Sequence, residues 1–125
     1  MTTRDLTKAE KALRDFALGY PEASEEFPWD ERVFKVHGKI FVFLGIFEKT
    51  LRVGVKLPIS SEMALTLPFT EPTGYGLGRA GWITAKFDGR RKPPVDLLRG
   101  WIDQSYRAVA PKRLVARLEA EKKTG

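Results

Sequence analysis

Two apolar runs meet at a Gly-Lys pair in the stretch Val33-Phe34-Lys35-Val36-His37-Gly38-Lys39-Ile40-Phe41-Val42-Phe43-Leu44. The first run alternates apolar and polar residues, a pattern that predicts a β-strand with one buried face. The second run, residues 40–44, is apolar at every position, which is typical of a strand in the middle of a sheet that is covered on both sides. The sequence therefore predicts a hairpin whose second strand is central and buried on both faces.

The strand pattern continues after this hairpin. Three strands are predicted, over residues 33–37, 40–47 and 51–57, and the short turns between them make them antiparallel neighbours. The turns are expected at Gly38-Lys39 and Glu48-Lys49-Thr50. In the third strand one face carries Leu51, Val53, Val55 and Leu57, and the other carries Arg52, Gly54 and Lys56. The polar face is expected to meet solvent or a partner.

Helices are predicted before and after these strands. The spacing Thr7-Lys8-Ala9-Glu10 matches a capping box and predicts a first helix over residues 8–18. Ser60 or Ser61 is expected to cap a short helix, Asp96 to cap a long one, and Pro111 to lie in the first turn of a last one. The faces predicted to be buried contain Ala9, Leu13, Phe16 and Ala17, then Leu97, Leu98, Trp101, Ile102, Tyr106 and Val109, and finally Leu114, Val115 and Leu118.

The segments between these elements are predicted to be loops. Residues 22–30 form an acidic loop whose Phe27, Pro28 and Trp29 are expected to turn inward. Residues 68–81 form a long loop rich in Gly and Pro, which leads into a strand at residues 82–87. Both loops are expected to lack regular structure of their own.

The chain is long enough for one domain with a real core, since it has 125 residues. The elements predict an α+β fold: a single-domain antiparallel sheet with helices packed on it, in the order α-β-β-β-α-β-α-α. The domain is expected to span residues 1–125, with its core at 5–118 and a frayed tail at 119–125. Its oligomeric state is left open by the sequence.

Several kinds of site are excluded or disfavoured by composition. The chain has no cysteine and a single histidine, so we expect no metal, no cofactor and no catalysis through His37. Gly76-Leu77-Gly78-Arg79-Ala80-Gly81 matches the dinucleotide fingerprint, but it precedes a strand instead of opening a helix, so nucleotide binding is not predicted. Ser105-Tyr106 is expected to supply a buried hydroxyl that hydrogen-bonds to a loop, and not an acid–base pair. The sequence indicates a protein that is not an enzyme.

Targeting signals are not evident in the sequence. The start of the chain lacks the apolar core of a signal peptide, and the most apolar run, residues 40–47, is too short for a membrane helix. The sequence therefore predicts a soluble cytoplasmic protein without a membrane partner.

Positive charge is concentrated in the last third of the chain. The net charge is +6 in total, made up of −1 over residues 1–78 and +7 over residues 79–125. Such asymmetry favours a basic face that attracts phosphates, although it also serves solubility alone.

Several short motifs occur in an order that resembles the MmcQ/YjbR-like family of bacterial proteins. The resemblance covers about residues 5–118. It is carried by Tyr20-Pro21-Glu22-Ala23 before Phe27-Pro28-Trp29, by Phe34-Lys35-Val36 with Gly38-Lys39-Ile40-Phe41, by Val55-Lys56, by Trp82-Ile83 after a loop that contains Tyr75, and by Ser105-Tyr106.

This resemblance implies an α+β sandwich of the frataxin (CyaY) type and a double-wing DNA-binding role. Frataxins crowd carboxylates on their first helix to bind iron, whereas Lys8, Lys11 and Arg14 interleave with the acidic residues here. An ordinary solvated helix is therefore expected at that position.

The strongest functional candidate in the sequence is a set of basic residues on strands and turns. Such residues can straddle phosphates, and a wing-like turn at residues 90–92 is expected to take part. The predicted nucleic-acid-binding residues are Lys35, Lys39, Lys56, Arg79, Lys86, Arg90, Arg91 and Lys92, with Arg52 beside them. Two alternatives stay open: a protein-interaction module that uses the sheet face or a groove beside Trp29 and Tyr75, and a protein that binds a small ligand.

Overall fold

The structure is a computed structural model that describes residues 3–27, 31–74 and 76–124. Six antiparallel strands form one sheet in the order β1-β2-β3-β4-β6-β5. The strands are β1 (Ala23–Glu26), β2 (Arg32–Val36), β3 (Lys39–Phe47), β4 (Thr50–Lys56), β5 (Thr70–Pro72) and β6 (Trp82–Phe87). The helices are α1 (Thr3–Leu18), α2 (Ser61–Ala64), α3 (Val95–Val109) and α4 (Lys112–Thr124), and a 3-10 helix spans Leu77–Ala80.

The three predicted strands and their antiparallel order are confirmed, each to within one residue. The first turn lies at His37-Gly38, one residue earlier than predicted, where both residues have positive φ (54° and 77°). The second turn has the same form at Glu48 and Lys49, with φ of 50° and 62°. Two consecutive left-handed residues match the twist of a tight hairpin, which explains the short connections.

The predicted acidic loop contains an edge strand, so the loop prediction is wrong for residues 23–26. Strand β1 has no apolar alternation, and it forms because β2 offers a free ladder edge beside it. Glu25 adds side-chain contacts, since its carboxylate accepts hydrogen bonds from Arg14 (2.8 Å) and Arg32 (3.1 Å). Phe27 is exposed instead of turned inward, whereas Pro28 and Trp29 lie outside the described residues.

The long loop at residues 68–81 also contains regular structure, which the prediction missed. Strand β5 pairs with β6, and the 3-10 helix follows it. Gly76 and Gly81 bound that helix with φ of 78° and 92°, and a Cβ on Gly81 would lie 2.8 Å from Pro58 Cα. The glycine-rich match is thus a tight turn that packs against backbone, and Tyr75 lies outside the described residues.

Two predicted helix starts are wrong. Helix α1 begins at Thr3, so Thr7 lies inside it, because the buried stripe extends back to Leu6. Helix α3 begins at Val95, and Asp96 pairs with Arg99 (3.2 Å) instead of capping.

The ends of α2 and α4 also differ from expectation. Ser60 is the residue before α2, yet its hydroxyl donates to Gln104 Oε1 (2.7 Å) and does not cap the helix. Helix α4 continues to Thr124, so the predicted frayed tail is helical up to that residue. Ion pairs from Arg107 to Glu119 and from Arg117 to Glu121 stabilise its second half.

One face of the sheet is packed against α1 and α3, which also contact each other. A bulge helps to form this core, because Phe34 pairs with Val42 and Lys35 with Ile40, so that Phe41 has no partner on β2. The Phe41 ring lies edge-on against Tyr106 at 5.3 Å between centroids. The core further contains Leu13, Leu44, Leu51, Val53, Val55, Ile83, Leu98 and Ile102, all buried.

The hydroxyls of Ser105 and Tyr106 are buried and hydrogen-bonded, as predicted, but Ser105 binds the sheet and only Tyr106 binds a loop. Ser105 Oγ donates to the Phe41 carbonyl (2.6 Å) and accepts from the Lys56 amide (2.9 Å). Tyr106 donates to the Pro21 carbonyl (2.9 Å). Both hydroxyls therefore satisfy backbone groups and are not available as an acid–base pair.

The other face of the sheet, which we term the open face, carries polar side chains and several aromatic rings. Because residues alternate along a strand, Phe43 and Arg52 lie on it, and so do Trp82 and Lys86. Arg52 is exposed and Phe43 only partly buried. The prediction that residues 40–44 are covered on both sides is therefore wrong, although their central position is confirmed.

Candidate nucleic-acid interface

Basic side chains are grouped between the open face and the segment that follows β6. Arg52 on β4 and Lys86 on β6 are cross-strand partners on the open face. Lys86 also lines a depression of about 570 Å³ near the end of β6, together with Arg90 and Arg91 from the segment that follows the strand. Because Lys86 belongs to both groups, these four residues are contiguous, and we term Arg52, Lys86, Arg90 and Arg91 the basic strip.

The charges of the basic strip are only weakly neutralised. Arg90 is 91% exposed and lies 3.6 Å from Asp88, while Arg91 is exposed without an ion-pair partner among the described residues. Lys86 pairs with Glu71 at 2.5 Å, but both side chains are partly exposed. Exposed pairs of this kind contribute little, so Lys86 can exchange its partner for a phosphate at low cost. The Arg52 guanidinium lies 5.9 Å from the centre of the Phe47 ring.

A second depression, of about 410 Å³, lies on the open face next to the basic strip. We term it the open-face depression. It is lined by Glu31, Phe43, Arg52, Gly54, Glu71, Thr73, Gly74, Leu77, Thr84 and Lys86. The hydroxyls of Thr73 and Thr84 are 2.9 Å apart and share a hydrogen bond. Burial raises the pKa of the Glu31 carboxyl, and nearby Arg52 opposes that shift.

The predicted basic residues are divided among several places. Lys56 lies on the open face opposite Trp82, at the other end of β4 from Arg52, and Arg79 is exposed on the 3-10 helix. Lys35 pairs with Glu26 on β1, and Lys39 is exposed at the start of β3. These four residues lie on or around the sheet but do not line the depression beside Arg90 and Arg91.

The segment at residues 90–92 is not a wing. It connects β6 to α3, and the prolines that follow it direct the chain into the helix, so there is no second strand to complete a hairpin. Lys92 lines a different depression, with Asp5 and Asp96 among its walls. The three consecutive basic residues thus serve two surfaces, and only Arg90 and Arg91 belong to the basic strip.

Sequence reasoning missed Glu31, Phe43, Thr73 and Thr84 as site residues. Glu31 lies directly before β2, and Phe43 lies in an apolar run. Thr73 comes from a segment predicted to be a loop, and Thr84 lies in the predicted strand at residues 82–87. Only the pairing of β2 with β3, β3 with β4, β4 with β6 and β5 with β6 brings them to one depression. A carboxylate directly before a strand was the one available signal, and it does not reveal a depression by itself.

A third depression, of about 630 Å³, lies between α1 and α3 near Leu118. Tyr20 donates to Asp103 Oδ1 (2.6 Å), and Asp103 also accepts from Arg107 (2.8 Å). Burial and this hydrogen bond raise the pKa of the Tyr20 hydroxyl far above its usual range. The polar groups here bind one another, which is typical of packing between helices.

The described residues contain neither a metal-binding cluster nor a membrane-spanning helix. Within the described parts of the chain, no three side chains among His, Asp and Glu are grouped closely enough to hold a metal ion. His37 lies in the β2–β3 turn, where its Nε2 is 3.2 Å from Arg113 Nη2. Among the helices over residues 3–27, 31–74 and 76–124, none is long and apolar enough to cross a membrane.

Comparison with known proteins identifies the family. The model of the YjbR family matches residues 18–108. A crystal structure of the Deinococcus radiodurans protein DR2400, a DUF419 domain protein, is similar with a TM-score of 0.61 and 29% identity over 75% of this chain and 72% of that chain. No curated protein sequence matches. The six-stranded α+β architecture agrees with that neighbour. Because the family model matches residues 18–108, which are most of this chain, the chain belongs to the YjbR family.

Proposed function

We propose that this protein binds nucleic acid without catalysing a reaction, and that the basic strip contacts the phosphate backbone. The observation that carries the proposal is the grouping of Arg52, Lys86, Arg90 and Arg91, four weakly neutralised cations between the open face and the segment that follows β6. Lys56 adds a further cation to the open face. Phosphate contacts supply most of the affinity of sequence-tolerant binding, which fits a surface of this kind.

The shape of the surface argues against reading of base pairs in the major groove. The basic residues come from strands, a 3-10 helix and a connecting segment, and none lies on a helix that could enter that groove. Binding to duplexes is therefore expected to be electrostatic and tolerant of sequence.

A salt titration tests the proposal. About five phosphate contacts give a log–log slope of roughly −4 to −5 for a duplex, because each neutralised phosphate contributes about −0.9. Replacing Lys86, Arg90 and Arg91 by Ala is expected to reduce the slope by about three. Absence of binding at low salt, or a slope that stays unchanged in this variant, contradicts the proposal.

A matched control separates the effect of the basic strip on affinity from the effect of net charge. Lys8, Lys11 and Lys112 are exposed on α1 and α4, on the side of the molecule that carries the helices. Their replacement by Ala removes the same three charges and is expected to leave the slope within about one unit of wild type. Equal effects of the two triple variants would show that overall charge, and not this strip, sets the affinity.

A second candidate function, a protein-interaction module, is favoured by exposed apolar residues around α2. Ile59 is 96% exposed and Met63 is 76% exposed, which is unusual for large apolar side chains of a monomer. An interface of this kind is expected to keep its affinity as salt rises, whereas phosphate binding weakens steeply. Replacement of Ile59 and Met63 by Ser weakens capture of a protein partner in that case and leaves nucleic-acid binding unchanged.

A further inference from the structure

The open-face depression has a flat apolar wall that is formed by the Phe43 ring. Gly54 lies beneath this ring, since a Cβ on the glycine would lie 3.2 Å from Phe43 Cβ and Cδ2. Trp82 holds that ring edge-on at 5.3 Å between centroids. A partly exposed ring that is held by a neighbour is a suitable surface for stacking a base, and about 410 Å³ lies within the roughly 300–1,000 Å³ of small-ligand sites.

The two sides of this depression differ in their hydrogen-bonding groups. The Glu31 carboxylate is an acceptor only, it is half-buried, and it has no hydrogen-bond or ion-pair partner among the residues that the structure describes. On the other side, one hydroxyl of Thr73 and Thr84 donates to the other, so one hydroxyl hydrogen stays available to donate. A fitting ligand therefore presents N–H donors to Glu31 and an acceptor to the threonine pair.

The remaining charges of the depression indicate where an anionic part of the ligand lies. Arg52 and Lys86 line the same space and belong to the basic strip, while Glu71 is engaged by Lys86. A ligand with a flat base, N–H donors on one edge and an attached phosphate matches all of these groups at once. Guanine is the base with two adjacent donors, its ring N–H and its amine, beside a carbonyl acceptor.

We infer that the open-face depression binds one unpaired guanine of a single-stranded nucleic acid, with the base on Phe43, its donor edge on Glu31 and its phosphates on the basic strip. In a duplex the same edge is engaged in base pairing, so the base must be unpaired to reach Glu31. The inference rests on the proposed function and narrows it from nucleic acid in general to a strand with an exposed guanine.

The test measures the affinity of fluorescent oligothymidines that carry one central guanine or one central hypoxanthine, which lacks the amine. Wild type is expected to bind the guanine strand about tenfold more tightly, since one hydrogen bond to a charged acceptor is lost with hypoxanthine. In Glu31→Gln the preference is expected to fall to about twofold or less. The affinity of this variant for a plain duplex is expected to stay equal or rise, because a negative charge beside the phosphates is removed.

Glu71→Gln is the matched control, because it removes a carboxylate from the same depression that already has a partner in Lys86. This variant is expected to keep the preference for guanine. Equal binding of the two strands by wild type, or an undiminished preference in Glu31→Gln, overturns the inference.

Different outcomes of these binding measurements refute the proposed function and the guanine site. If the plain duplex binds with a steep salt slope while the two single strands bind equally, the proposed function holds and the guanine site is refuted. If neither single strands nor the duplex bind at low salt, both are refuted.

Discussion

The two faces of the sheet differ in how fully their side chains are buried and hydrogen-bonded. On the helix-covered face, Phe41 is fully buried between Tyr20 and Tyr106, and Glu25 is bound by Arg14 and Arg32. On the open face, Phe43 is partly exposed and Glu31 has no such partner among the described residues. Polar groups that are satisfied stabilise a fold, whereas groups left with unused hydrogen-bonding capacity beside a cavity are free to bind a ligand. We therefore expect one face to stabilise the fold and the other to serve recognition.

The largest expected effect is a difference in unfolding free energy between alanine variants of two phenylalanines of β3. Phe41→Ala is expected to cost about 3–5 kcal/mol of unfolding free energy, because it leaves a cavity in the core. Phe43→Ala is expected to cost about 1–2 kcal/mol, because part of that ring is already in contact with water. Urea denaturation of both variants checks this, and equal losses would remove the distinction between the faces.

A second expected effect concerns pH, and its sign differs between the faces. Hydrogen bonding by Arg14 lowers the pKa of the Glu25 carboxyl, so its stabilisation is present above the ordinary value of about 4.3 and is lost as pH falls through the lower folded pKa. Glu25→Gln is therefore expected to lose on the order of 1 kcal/mol at pH 7, and progressively less in acid.

Glu31 is expected to behave in the opposite way. Burial raises its pKa, so folding is disfavoured as pH rises from the ordinary value through the raised folded one. Glu31→Gln is therefore expected to be more stable than wild type at pH 7 and equally stable below pH ~4. A loss of stability in Glu31→Gln at pH 7 would show that this carboxylate has a structural role.

The extent to which the sequence predicts these faces depends on the element. Period-two alternation located β2, β3, β4 and β6 to within a residue, because each strand contributes regularly spaced side chains to the core. It missed β1 and β5, since Ala23-Ser24-Glu25-Glu26 and Thr70-Glu71-Pro72 have no such alternation and form only because a neighbouring strand offers ladder partners.

The candidate site was predictable only in part for a related reason. Arg90 and Arg91 were identified from a charged, proline-flanked segment, which is a local signal. Their connection to Arg52 through Lys86 depends on the β4–β6 register, and the placing of Glu31 and Thr84 in one depression depends on the pairing of β2, β3, β4 and β6. A continuous apolar run in β3 likewise does not reveal that only one of its faces is covered by helices.

The smallest expected effect concerns two adjacent cations. Arg91 lines the depression that belongs to the basic strip, whereas Lys92 lines a depression beside Asp5 and Asp96. Arg91→Ala is expected to reduce the salt slope of duplex binding by about one, and Lys92→Ala to leave it unchanged. Equal reductions would show that the bound duplex extends round to the helix-covered side.

The central claim is that the open face, and not the helix-covered face, receives nucleic acid. The most direct measurement follows backbone amide NMR shifts of isotope-labelled protein during titration with a guanine-containing oligothymidine. The largest changes are predicted at Arg52, Lys86 and Arg91, with Asp15 and Gly100 in the groove between α1 and α3 unaffected. Shifts concentrated at Asp15 and Gly100, with the basic strip unchanged, would contradict the account.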